Sequence, residues 1–105
     1  MNYIKTKQEL KELVENNEKV IIDFFATWCG PCKMLGPVLE EVANERIDIV
    51  FAKVDVDEAE ELAEAFQIRS VPTLFFVKNA KVAFAKLGFQ PKNNILQIIA
   101  EYLGK

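Results

Sequence analysis

Two apolar runs, Val20-Ile21-Ile22-Asp23-Phe24-Phe25-Ala26 and Ile49 to Val54, constrain this chain more than any other feature. Both are apolar at odd and even positions alike, so a strand made from either has no face suited to water. Such strands belong in the centre of a parallel sheet covered by helices on both sides. Each run is broken once by a charge, Asp23 in the first and Lys53 in the second. Between them, from about Pro31 toward Arg46, Leu35, Val38, Leu39 and Val42 recur at helical spacing. Pro37 falls inside that helix and should kink it. Strand, helix, strand at this spacing predicts a right-handed parallel unit.

The remaining elements follow from local signals. Thr6-Lys7-Gln8-Glu9 has the form of a capping box, with Thr6 as N-cap and Glu9 reaching back. Leu10, Leu13 and Val14 extend it as a helical stripe that fades at Asn16-Asn17. A short acidic helix is expected from about Glu58 to Phe66, with Leu62, Ala65 and Phe66 inward. Thr73 to Lys78 and Val82 to Leu87 predict an antiparallel hairpin around Asn79-Ala80-Lys81. A last helix from about Pro91 carries Ile95, Ile98, Ile99, Tyr102 and Leu103 on one stripe. The order predicts an α/β domain: a mixed sheet with a parallel βαβ half and an antiparallel ββα half, sandwiched between helices. At 105 residues the chain has the size of one domain, residues 1–105.

Composition removes several function classes. Thirteen Lys and Arg against sixteen Asp and Glu leave a formal charge of −3, with no basic stripe of the kind a nucleic-acid groove needs. No apolar run approaches the roughly 20 residues of a bilayer span. The first residues lead straight into an amphipathic pattern and not into a signal-peptide stretch, so the expectation is a cytoplasmic chain without membrane contact. There is no His, which excludes Ser-His and Cys-His hydrolases. The two cysteines, Cys29 and Cys32, are too few and too close together to be a framework of crosslinks. They also supply only half of a tetrahedral zinc site, so no metal is expected.

Trp28-Cys29-Gly30-Pro31-Cys32 stands where the first buried strand hands over to a helix. Pro31 suits the first helical position, where its missing N–H would be unpaired anyway. That places Gly30 at or near the N-cap and Cys29 just outside, its sulfur facing free backbone N–H groups and the positive end of the helix dipole. Both favour thiolate over thiol, so Cys29 should be the more acidic sulfur and Cys32, farther in, the more shielded. A gap of two residues lets the pair close into a disulfide and reopen. Trp28 fits either a core aromatic or part of a docking surface beside Cys29. Asp23 fits either a carboxylate satisfied by nearby backbone or a buried acid with a raised pKa, able to exchange a proton near neutrality. Lys53 fits a snorkelling edge residue. Pro72, at a strand start, has trans geometry as its prior.

Trp28-Cys29-Gly30-Pro31-Cys32-Lys33, with Asp23 upstream and Lys53-Val54-Asp55 and Val71-Pro72-Thr73 downstream, resembles the thioredoxin family along essentially the whole chain. The resemblance implies the thioredoxin fold and a general protein-disulfide reductase. Cys29 would attack a substrate disulfide and Cys32 would resolve the mixed disulfide, with Asp23 as proton acceptor for Cys32. Gly30, Pro31 and Lys53 would tune the redox potential, Lys53 as neighbour of the buried Asp23. Trp28, Gly30, Pro31, Val71, Pro72 and Gly88 would form a flat apolar docking surface, with a cis Val71–Pro72 bond facing the cysteines. The Gly-Pro dipeptide resembles reductase members and not oxidase or isomerase relatives. No bound cofactor is implied. The implied partners are disulfide-containing target proteins and a thioredoxin reductase, usually a flavoprotein fed by NADPH, sometimes one fed by ferredoxin, acting on a monomer. A binding module with incidental thiols is the rival from another class.

Three positions depart from the family pattern. Gln67 and Ala80 each stand where a Gly is usual, and the hairpin at Ala80 should therefore be looser or of another type. Phe89 follows Gly88 where a small residue is usual. It either packs into the neighbouring core or adds apolar area at the rim of the docking surface, where it would influence partner choice.

Overall fold

A computed structural model describes residues 1–105. The elements in chain order are β1 (Asn2–Tyr3), α1 (Lys7–Asn16), β2 (Lys19–Phe25), α2 (Gly30–Glu45), β3 (Val50–Asp55), α3 (Glu60–Ala65), β4 (Thr73–Lys78), β5 (Lys81–Leu87) and α4 (Lys92–Tyr102). The sheet order is β1-β3-β2-β4-β5. β1, β3 and β2 run parallel, and β4 and β5 run antiparallel to their neighbours. The two largely apolar runs, which form β2 and β3, lie side by side near the centre, as their lack of a water-facing side requires.

Alternation along β2 feeds two separate cores. Ile21 joins Leu35, Leu39, Val42, Phe51, Leu74, Phe76, Ile95 and Ile99 on the side covered by α2 and α4. Val20, Ile22 and Phe24 join Leu10, Ala52, Val54 and Leu62 on the side covered by α1 and α3. Each fully buried Leu, Ile or Phe contributes about 1.5–3 kcal/mol of transfer free energy. Together these two layers fix the level of every side chain on β2, including Asp23.

The capping box forms as expected: Thr6 Oγ1 accepts from the Glu9 N–H at 3.1 Å, and Glu9 accepts from the Thr6 N–H at 3.0 Å. The helix α2 continues through Pro37 as one element. The hairpin departs from expectation. Asn79 and Ala80 both take positive φ, 52° and 63°, so the turn has the left-handed geometry of an Asn-Gly hairpin despite the alanine. Pairing of Lys78 with Lys81 leaves only two residues to reverse the chain, and that length dictates the geometry. The outer strand β5 pairs only with β4, and its side chains are exposed apart from half-buried Phe84, which stacks on Tyr102.

Candidate active site

β2 ends at Phe25, and after four intervening residues the chain enters α2. The helix cap is Cys29 itself, one residue earlier than spacing suggested. Its carbonyl accepts the Lys33 N–H at 3.2 Å, and its Sγ accepts the Cys32 N–H at 3.2 Å. A sulfur thus does what a Ser or Asp oxygen does at other helix starts. Gly30 and Pro31 then occupy the first two helical positions, where Pro31 leaves no hydrogen bond unmade.

Cys29 and Cys32 are joined as a disulfide, with Cα atoms 5.3 Å apart. Relative exposure does not separate them, at 5% and 4%. The cap does: in the reduced protein, negative charge on Cys29 would sit on the Cys32 N–H and the helix dipole, both of which lower a thiol pKa. The pair packs with Ala26, Phe25, Val56 and Val71 in a small apolar cluster. Cys29 Sγ lies 3.7 Å from the Val71 carbonyl oxygen. The Val71–Pro72 bond is cis. The Pro72 carbonyl accepts the Gly88 N–H at 2.8 Å, which ties the segment after β5 to this side of the site. Gly88 has φ +85° with open space where a Cβ would stand, so conformation and not crowding calls for glycine there.

Trp28 is 70% exposed, and its indole N–H donates to Asp57 at 2.9 Å. It is a surface side chain beside the disulfide and no part of the core. Asp57 had no role in the sequence reading, being one of several acids in a row. Topology was the signal: the turns after neighbouring parallel strands β2 and β3 open at the same sheet end. Phe89 is half-buried and packs against the α2–α4 core.

Asp23 lies beneath this surface on β2, 1% exposed, and neither carboxylate oxygen accepts a hydrogen bond from the protein. The alternative of a backbone-satisfied carboxylate is therefore not what forms. Burial pushes its pKa up to about 6, and the cation of Lys53, 3.9 Å away, draws it down only partly. Lys53 is paired with Asp23 in the β2–β3 register, and its side chain is 14% exposed. It is an inward-facing partner of Asp23, not an edge residue reaching for water. Cys32 and Lys53 share the walls of a cleft of about 370 Å³ at the start of α2. The site therefore combines a cysteine pair closed as a disulfide, a sulfur placed at the start of a helix and a buried acid with a raised pKa.

The thioredoxin family model matches residues 2–101. A thioredoxin of Mycoplasmoides gallisepticum is 48% identical over 99 residues, covering 94% of this chain and 99% of that protein. A thioredoxin of Mycoplasma pneumoniae is 43% identical and covers 93% and 96%. Among solved structures, a mutant thioredoxin from Halobacterium salinarum superposes with a TM-score of 0.90 at 39% identity, covering 96% of this chain and 88% of its own. A Plasmodium falciparum thioredoxin gives 0.89 at 38%, covering 97% and 99%.

Proposed function

This chain belongs to the thioredoxin family of thiol–disulfide oxidoreductases, and from that premise we propose that it is a general protein-disulfide reductase in which Cys29 attacks and Cys32 resolves. The observation that carries the assignment is the Cys29 sulfur capping α2 and accepting the Cys32 N–H. The Cys29 thiolate attacks one sulfur of a substrate disulfide; a Cys29–substrate bond forms, the substrate S–S bond breaks, and the departing thiolate takes a proton from water. Cys32 gives its proton to the Asp23 carboxylate, and its thiolate attacks Cys29 Sγ. The second substrate thiolate leaves, the substrate has gained two electrons, and the chain retains the Cys29–Cys32 disulfide. A raised Asp23 pKa suits a group that must accept and release a proton near neutral pH.

Docking is assigned to Trp28, Val71, Pro72 and Gly88, with the exposed part of Phe89 at the rim. Val71 offers its backbone to an extended substrate segment next to Cys29. Gly30, Pro31 and Lys53 set the potential of the couple, the first two by shaping the helix entry and the third by its charge. Redox partners follow from the family: disulfide-containing targets and a thioredoxin reductase, here taken as the NADPH- and flavin-dependent type. The 105 residues act as one domain, monomeric and cytoplasmic; no helix is long and apolar enough to cross a membrane.

The test is insulin reduction with dithiothreitol, followed by turbidity, joined to thiol mapping. The protein should accelerate precipitation well above the dithiothreitol background. Iodoacetamide near pH 7 should label Cys29 of the reduced protein first, and Cys32→Ser should accumulate mixed disulfides. Preferential labelling of Cys32 reverses the two roles, and no acceleration favours a binding module.

A further inference from the structure

The row of side chains that crosses the sheet at Asp23 has a third member. Register pairs Asp23 with Lys53 and Lys53 with Tyr3 on β1, and paired residues share a face. β1 is two residues long, yet it is pinned on both sides of Tyr3. The Asn2 side-chain amide donates to the Phe51 carbonyl at 3.1 Å, and the Ile4 N–H donates to the Lys53 carbonyl at 2.9 Å. Ile4 is buried in the core under the opposite face. Tyr3 itself is 63% exposed, with its ring centroid 5.8 Å from Lys53 Nζ. The Phe25 ring lies 4.7 Å from the same ammonium and meets Tyr3 edge-on, centroids 6.3 Å apart.

We propose that Tyr3 is a positioning residue: with Phe25 it forms a two-ring seat that holds the Lys53 ammonium beside Asp23. Its part in turnover rests on the reading of Asp23 as proton acceptor. A lysine stem is long and flexible, and without a seat the ammonium has other places to go. Tyr3, Phe25 and Lys53 itself line a cleft of about 510 Å³ whose other charged walls are Lys5, Asp55 and Glu58. Glu58 is engaged by Lys5 at 3.3 Å, while Asp55 stands opposite Phe25 in the β2–β3 register, its Oδ1 accepting the Asp57 N–H at 2.9 Å. From α2, Cys32 and the like-charged Lys33 line the inner cleft. On the β4 side the neighbour of Asp23 is uncharged Leu74. α2 approaches the ammonium at Gly36, where a Cβ would stand 3.9 Å from Nζ, but offers no charge there to keep Lys53 turned inward. The faces of two rings do so electrostatically, within the roughly 6 Å over which an aromatic face attracts a cation.

The experiment follows the Asp23 carboxyl by carbon NMR titration, and the pH dependence of mixed-disulfide resolution by rapid mixing, in the full chain. The variants are Tyr3→Leu, Tyr3→Phe, Lys53→Met and the double Tyr3→Leu/Lys53→Met. Tyr3→Leu should raise the Asp23 midpoint by about 0.4–0.7 of a pH unit, the size expected for one exposed cation–ring contact. Tyr3→Phe keeps the ring and should keep the wild-type midpoint. Lys53→Met should raise it further, and adding Tyr3→Leu should then change nothing. An unmoved midpoint in Tyr3→Leu overturns the proposal. So does an equal rise on the Lys53→Met background, which would mean that Tyr3 acts by shielding Asp23 from water. A carboxyl midpoint that moves as expected while the kinetic midpoint stays fixed upholds the seat and removes Asp23 from proton transfer.

Discussion

At Asp23 two effects of opposite sign meet, and burial wins. A carboxylate 1% exposed and without hydrogen bonds loses its hydration, and one ammonium at 3.9 Å does not replace it. The folded pKa of about 6 stands above the ordinary carboxyl value. The folded chain therefore binds this proton more tightly than the unfolded chain does. The stability associated with the protonated form is present below about pH 4 and is lost as pH rises through about 6. At 1.36 kcal/mol per pKa unit, ionised Asp23 costs the fold on the order of 3 kcal/mol at neutral pH. Asp23→Asn should thus be more stable than wild type in denaturant at pH 7–8, by about 1–3 kcal/mol, with the gap closing toward pH 4. A gap independent of pH would show that Asp23 does not titrate in this window. Asp23 and Lys53 were legible in the sequence because one charge in an otherwise apolar run has to be explained. Asp57 was not, because an acid among acids raises no question until a neighbouring turn presents it with an indole.

Elements were legible where a periodic stripe meets a start signal, the Thr6 cap in α1 and Pro91 in α4, and illegible where neither exists. β1 is the clear case: two residues cannot show a period, and it is held by Asn2 and Ile4 at its ends. Helix and turn ends show a different limit. After α3, the Ile68 N–H returns to the Ala63 carbonyl and the Gln67 N–H to the Glu64 carbonyl, a reversal that places Gln67 at φ 54°. Gln67 and Ala80 both stand where a Gly is usual, and at Ala80 the missing glycine implies a changed turn. The chain keeps both left-handed geometries and bears their strain. A side chain at such a φ costs about 1–2 kcal/mol, of which glycine's extra freedom in the unfolded chain takes back part. Gln67→Gly and Ala80→Gly should each add about 0.5–1 kcal/mol, raising Tm by a few degrees. Calorimetry showing no gain at either position would mean that their side-chain contacts repay the strain.

Across the whole molecule, the two cores hold the sheet between two helical layers and leave its edges to be dealt with separately. One edge, β1, is too short to recruit a second chain. The other, β5, has seven residues and no strand beyond it, so its outer N–H and C=O groups are a template on which a foreign strand could add. Val82 and Leu87 stand exposed on it, which makes it adhesive as well as open. Lys81 and Lys86 lie on the same strand, and two copies approaching edge to edge bring these cations together. Repulsion then guards against fibre-like stacking, and added salt weakens it. Replacing both lysines by serine should yield a chain that scatters light increasingly with concentration under conditions where wild type does not. Identical scattering from the two would mean that colloidal stability is controlled elsewhere. For a chain whose sheet ends on an open, partly apolar strand, positive charge on β5 is a safeguard against self-association.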